Sequence, residues 1–228
     1  MGDVGRSAER IGVVVGLPQE AALLKETLGD AAPALACAGP GPVRAAQSAA
    51  KLLAGGAQQL VSFGFAGGLD PALHPGDIIV GAGVVAPDGR MRETDDAMAR
   101  RICAALDASG CRWSAGLVAG VDQVLPTAAG KQALALRTRA LIVDMESHAV
   151  AEAGPPFAIL RVVVDPADRA LPPTVLSALS PSGTIMVAKL LSGLLRRPAD
   201  ARDILLLAGD NRRARSSLRR AAVALRAT

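Results

Sequence analysis

The chain has 228 residues, a mass of 23.1 kDa and a net charge of +4, a length that suits one domain with a large core. Half of its residues are hydrophobic, enough to repay the entropy of ordering and to exclude intrinsic disorder. One Trp, three Phe and no Tyr argue against stacking of single-stranded nucleic acid, while Cys37, Cys103 and Cys111, without CxxC spacing, imply neither a disulfide framework nor a zinc site.

The predicted elements alternate in type. Residues 11–16 (IGVVVG) read as a buried strand, and Pro18 opens a helix carrying Gln19, Glu20, Leu23, Leu24 and Leu28. The run Ala38-Gly39-Pro40-Gly41-Pro42 interrupts helical spacing, which resumes from Val43 to Leu53. Residues 60–69 (LVSFGFAGGL) form a strand opening into a glycine turn, and Asp77-Ile78-Ile79-Val80 restarts a strand. Then come a helix over 94–109, a strand over 113–121, a helix over 130–139 and a strand over 140–143. A helix from Glu146 stops at Gly154-Pro155-Pro156, and 157–164 is the most strand-like run of the chain. A long helix over 174–195, broken at Pro181-Ser182-Gly183, precedes two further helical pieces beyond Pro198. This order predicts a single three-layer α/β/α domain around a central mixed, mainly parallel sheet.

Domain limits follow the same reading: a flexible start over 1–10, the α/β domain over 11–195, and an Arg-rich helical extension over 196–228. That extension holds nine Arg against Asp200, Asp203 and Asp210, so the positive charge belongs to it. On a helical wheel Arg212, Arg213, Arg215, Arg219, Arg220 and Arg226 share about half of the circumference, opposite Ala214, Leu218, Ala221 and Leu225, with Val223 the exception. Such a helix either docks on the domain with solvated arginines or rests reversibly on an anionic membrane. No secretory or membrane-spanning signal is visible, so the expected setting is cytoplasmic, with peripheral contact at the inner membrane face left open.

In open α/β sheets ligands bind beyond the carboxyl ends of strands. Those ends deliver Glu20, then Gly64, Ala66, Gly67 and Gly68, then Asp144, Met145 and Glu146, and finally Asp165 and Asp168. Carboxylates beside a glycine-rich wall suit a neutral polyhydroxylated ligand better than a polyphosphate. Neither a Walker cradle nor a GxGxxG fingerprint is present. Gly39 to Arg44 offers an anion site at a helix start, with Gly41 and Arg44 as the phosphate-binding candidates; a plain turn with a solvated Arg explains it as well.

The motifs resemble the nucleoside phosphorylase and nucleosidase superfamily. Ser62-Phe63-Gly64-Phe65-Ala66-Gly67-Gly68-Leu69, followed by Leu73-His74-Pro75-Gly76-Asp77-Ile78-Ile79-Val80, looks like its glycine-rich signature. Val143-Asp144-Met145-Glu146 is similar to its ribose-binding segment, and Phe157 through Asp165-Pro166-Ala167-Asp168 to the strand ending in its catalytic Asp. Gly16 to Leu24 is similar to the start of methylthioadenosine/adenosylhomocysteine nucleosidases. Met145-Glu146-Ser147-His148-Ala149-Val150, the run 165–173 and the Arg-rich tail resemble the hopanoid-associated phosphorylases in particular.

The resemblance implies cleavage of the N-ribosidic bond of an adenine nucleoside, by phosphate or water, with adenosylhopane as the substrate of the nearest subfamily. It makes Asp165 the general acid toward purine N7 and Glu20 the group that orients the nucleophile. Glu146 would bind the ribose hydroxyls beside Asp144 and Met145. Ala66, Gly67, Phe65 and Val124 would line the base pocket, with Val124 replacing the family's aromatic and Phe65 replacing a common Ser. Structural roles compete: Asp165 could cap the turn before Pro166, and Glu20 and Glu146 could answer to helix dipoles. No metal or cofactor is implied, apart from inorganic phosphate as a co-substrate. Expected partners are a nucleoside, lipid-linked in the nearest subfamily, and further copies of the chain, but no nucleic acid. The competing substrates are methylthioadenosine and adenosylhomocysteine. A non-catalytic binding module with a membrane- or nucleic-acid-contacting tail is the reading from another class.

Overall fold

The computed structural model describes residues 10–178, 180 and 186–226, so the segment 1–9 and the break at 181–183 lie outside the described residues. The strands are β1 (Ile11–Val14), β2 (Ala34–Ala36), β3 (Gln59–Gly68), β4 (Ile78–Val85), β5 (Met91–Glu93), β6 (Trp113–Gly120), β7 (Ile142–Asp144) and β8 (Phe157–Asp165). The helices are α1 (Pro18–Leu28), α2 (Pro42–Ala54), α3 (Asp96–Ala108), α4 (Ala128–Thr138), α5 (Ser147–Glu152), α6 (Pro173–Ala178), α7 (Val187–Arg196) and α8 (Ala201–Ala224).

The sheet is mixed and mainly parallel. Strand β3 pairs in parallel with β1 and β8, and its C-terminal end pairs antiparallel with β7. Because β8 also pairs with β4, β4 with β6 and β6 with β7, the strands β3, β8, β4, β6 and β7 close into a circuit. Period-two alternation sends β8 side chains to opposite faces. Ala158, Leu160 and Val162 pack with α1, α3 and α8 through Leu24, Ile102 and Leu218. Phe157, Ile159 and Val163 pack with α2 and α5 through Ala49 and Val150. Helices therefore cover both faces, as the alternating elements predicted.

Strand β3 runs straight through the glycines at which a turn was expected. Both β7 and β8 approach it there, and a Cβ on Gly67 would stand 3.1 Å from Val143 Cγ1. Absent side chains here permit close strand packing. The short strands β2 and β5 went unpredicted. At the C-terminus one 3₁₀ turn at Pro198–Asp200 leads into the single long helix α8. Its Ala214, Leu218 and Ala221, and Leu225 just after it, are all buried in the core, while Val223 is 39% exposed.

Candidate active site

The site forms where β1, β3, β7 and β8 end. Its centre is Arg161, a fully buried cation in the middle of the apolar strand β8. A buried guanidinium must be paired. Arg161 Nε lies 2.7 Å from Asp144 Oδ2, and Nη2 lies 2.6 Å from Ser62 Oγ and 3.5 Å from Glu146 Oε2. Sequence reasoning treated Arg161 as one residue of a strand; a lone charge inside the run FAILRVVV was the available signal.

Asp144 ends β7. Its Oδ1 accepts the N–H groups of Glu146 (3.1 Å) and Ser147 (2.9 Å), while its Oδ2 accepts from the Ser147 hydroxyl and forms the ion pair with Arg161. Asp144 therefore organises the turn into α5 and holds the backbone from which Glu146 projects. Glu146 Oε1 accepts the Gly41 N–H at 3.0 Å. Burial pushes the Glu146 carboxyl above the ordinary range, against the pull of Arg161.

Glu20 sits in the first turn of α1. Its Oε2 accepts the N–H groups of Gly16 (3.0 Å) and Leu17 (2.8 Å), and its Oε1 accepts the Phe65 N–H at 2.8 Å. The helix-capping role and the site role thus coincide in one side chain. Burial, opposed by Arg161, raises its carboxyl pKa to about 7. Two glycines make room: a Cβ on Gly16 would come within 2.7 Å of Glu146 Oε1, and one on Gly64 within 2.5 Å of Glu20 Oε1. A carboxylate with a pKa near neutrality, next to a fixed cation, can take a proton from water.

Asp165 closes the site at the end of β8. The β3–β8 register shifts there, pairing Ala66 with Val163 but Gly67 with Asp165, a bulge that re-aims the strand end. Asp165 Oδ2 accepts from Lys131 Nζ at 2.5 Å, and its Oδ1 is buried without a hydrogen-bond partner. Burial raises its pKa, opposed chiefly by Lys131. Lys131, on α4, was not anticipated; a Lys in the first turn of a helix, against the dipole, was a faint signal.

The remaining predicted residues divide. Ala66 and Gly67 line the end of β3, and Met145 Cε would stand 3.8 Å from a Cβ on Gly41. Phe65 enters the site through its backbone, donating to Glu20 and accepting from Arg161 Nη1 at 3.4 Å. Its side chain packs against the cluster of α1, α3 and α8, because odd-numbered positions of β3 face that way. Val124 is 40% exposed in the connection after β6. The Gly41 N–H, proposed for phosphate, already serves Glu146, and Arg44 folds back toward Gly39, with Nη1 2.9 Å from where a Cβ there would stand. Among the described residues no group of three His, Cys, Asp or Glu side chains is placed to hold a metal ion.

A mixed sheet clad by helices on both faces, with carboxylates gathered around an arginine at the strand ends, defines a nucleoside-phosphorylase-like α/β protein. The chain belongs to the Phosphorylase superfamily, whose family pattern matches residues 10–195. No curated protein matches it closely enough to count. Among solved structures it is similar to futalosine hydrolase of Helicobacter pylori, with 22% identity, TM-score 0.65, and coverage of 69% of this chain and 85% of that one. It is similar also to the Helicobacter pylori methylthioadenosine/adenosylhomocysteine nucleosidase, solved as a mutant with 5′-methylthioadenosine in the active site: 21% identity, TM-score 0.66, coverage 86% and 99%. The adenosylhomocysteine nucleosidase of Streptococcus pyogenes, solved with 5-methylthiotubericidin, gives 22% identity, TM-score 0.65, and coverage 72% and 86%.

Proposed function

We propose that this protein cleaves the N-ribosidic bond of an adenine nucleoside. The observation that carries the reading is the gathering of Glu20 and Glu146 around the buried Arg161 of β8, with Asp165 and its unpartnered Oδ1 at the end of the same strand. Asp165 gives a proton to the departing purine, so that the base does not leave as an anion. Glu146 receives the ribose hydroxyls, and Glu20 draws a proton from the attacking water as C1′ becomes cationic. The engagement of the Gly41 N–H by Glu146 favours water over phosphate as the nucleophile.

For the substrate we propose adenosylhopane, on the strength of the resemblance of 145–150 and 165–173 to hopanoid-associated phosphorylases. The second reading, methylthioadenosine or adenosylhomocysteine, is favoured by the structural neighbours that act on those nucleosides. A product assay tests both. Adenine release from adenosylhopane and from methylthioadenosine is followed with and without phosphate, and the sugar is identified as ribose or ribose phosphate. Adenine release from neither nucleoside would overturn the proposal. The oligomeric state and a peripheral membrane contact through α8 belong to the same proposal.

A further inference from the structure

We propose that Lys131 is the positioning residue of the candidate acid: it fixes Asp165 by one oxygen, leaves the other to face the leaving group, and balances the carboxylate that remains after proton transfer. This rests on the reading of Asp165 as general acid.

Lys131 is fully buried, and its Nζ has three acceptors in reach: Asp165 Oδ2 at 2.5 Å, Pro166 O at 2.7 Å and Arg169 O at 3.1 Å. Two of these are backbone carbonyls, which can only accept. Nζ must therefore donate two protons to them, and a single proton lies between Nζ and Asp165 Oδ2. The carbonyls keep Nζ from turning away, so Oδ2 stays committed to Lys131. Oδ1 is the oxygen left without a partner, and it is the one able to carry an acidic proton toward a base.

The bond between C1′ and the purine nitrogen breaks, and its electron pair moves onto the base. The proton on Asp165 Oδ1 passes to N7. Asp165 becomes a carboxylate beside the Lys131 ammonium, and water adds to C1′ while its proton goes to Glu20. Lys131 does little for the neutral acid and much for the carboxylate, so its charge acts on the transition state rather than on the bound ground state.

The charged groups acting on Asp165 are Lys131 from α4, Arg169 from the connection after β8, and Asp210 from α8. Arg169 pairs with Asp210, which also binds Arg213 at 3.1 Å. Asp210 thereby steadies the loop whose carbonyls hold Lys131, and leaves Lys131 as the directly bonded cation.

The test uses the full chain carrying Lys131→Met and, separately, Lys131→Arg. The Asp165 pKa is read by carboxyl-carbon NMR without substrate, and kcat and KM for adenine release are read across pH with whichever of adenosylhopane and methylthioadenosine the parent cleaves. In Lys131→Met the Asp165 pKa should rise by about one to three units, and the alkaline limb of the pH profile should move up with it. Its kcat should fall about tenfold or more while KM changes little. Lys131→Arg should keep the pKa and the limb near those of the parent. A folded Lys131→Met with the parental pKa and kcat overturns the proposal, as does Lys131→Arg with the pKa raised as far as in Lys131→Met. Should Lys131→Met not fold, Lys131→Gln, neutral and able to keep a hydrogen bond, takes its place: a parental Asp165 pKa and kcat in that variant overturns the proposal. If Asp165→Asn turns over normally, the reading of Asp165 as acid fails, while the NMR arm still reports on Lys131.

Discussion

Glu20 reaches from the first turn of α1 to the Phe65 N–H of β3, 2.8 Å away, while its other oxygen closes the N-terminus of its own helix. One side chain therefore ties α1 to the sheet and stands in the site. Glu20→Gln replaces an acceptor oxygen by an amide nitrogen, so at least one N–H loses its partner. Adenine release should fall by roughly 10²-fold or more, the scale of general base catalysis, with a stability loss of about 1–3 kcal/mol. Kinetics and thermal melting of the same variant separate the two effects.

The same carboxyl predicts how stability varies with pH. In the folded chain it holds its proton up to about pH 7, against 4.5 ordinarily. Between those values the folded state binds more protons than the unfolded one. Stability from this group is complete below pH 4.5 and falls as pH rises toward 7. Glu146 and Asp165 shift in the same direction. Melting temperatures should decline across this window, and Glu20→Gln should flatten the decline. Activity should run the opposite way at the acid limb, since Glu20, as the proposed base, works only once deprotonated.

Asp165→Asn should keep the fold and lose roughly 10²-fold or more in turnover, because an amide cannot supply the proton. Binding of an adenine nucleoside, measured by calorimetry, should survive far better. Glu146→Gln should instead weaken recognition of the ribose, since an ionised acceptor forms the stronger hydrogen bond. A 2′-deoxynucleoside should then be discriminated less by the variant than by the parent.

Much of the fold was legible because it rests on period and punctuation. Strand 157–164 was visible from its β-branched run, α1 from Pro18, and α2 from the helical spacing that resumes at Val43, although the helix begins one residue earlier, at Pro42. Carboxylates at strand ends could be placed because strand ends are where α/β proteins bind. The residues that hold those carboxylates were less visible. Arg161 and Lys131 matter through partners 17 and 34 positions away, and local pattern carries no such information. Phe65 shows the same limit: its side chain and its N–H face different neighbours, and only the backbone geometry reveals which one serves the site. The edge strands β2 and β5, three residues each, are too short for periodicity to register.

Substitution, not deletion, tests the Arg-rich helix. Removing α8 would strip Ala214, Leu218, Ala221 and Leu225 from the core, so a truncated chain should unfold and report nothing about membranes. Several arginines also have partners: Arg219 pairs with Glu26 at 3.3 Å, Arg226 donates to Thr27 O at 3.0 Å, and Arg213 binds Asp210. Arg212 is exposed and Arg215 half-buried, and changing both to Glu leaves the buried stripe intact. If α8 rests on an anionic membrane, the parent should sediment with phosphatidylglycerol vesicles at low salt and release as salt rises. The double variant, melting near the parent, should lose that binding. Equal sedimentation of parent and variant, or none from the parent at low salt, would assign the arginines to solubility and to intramolecular pairing alone.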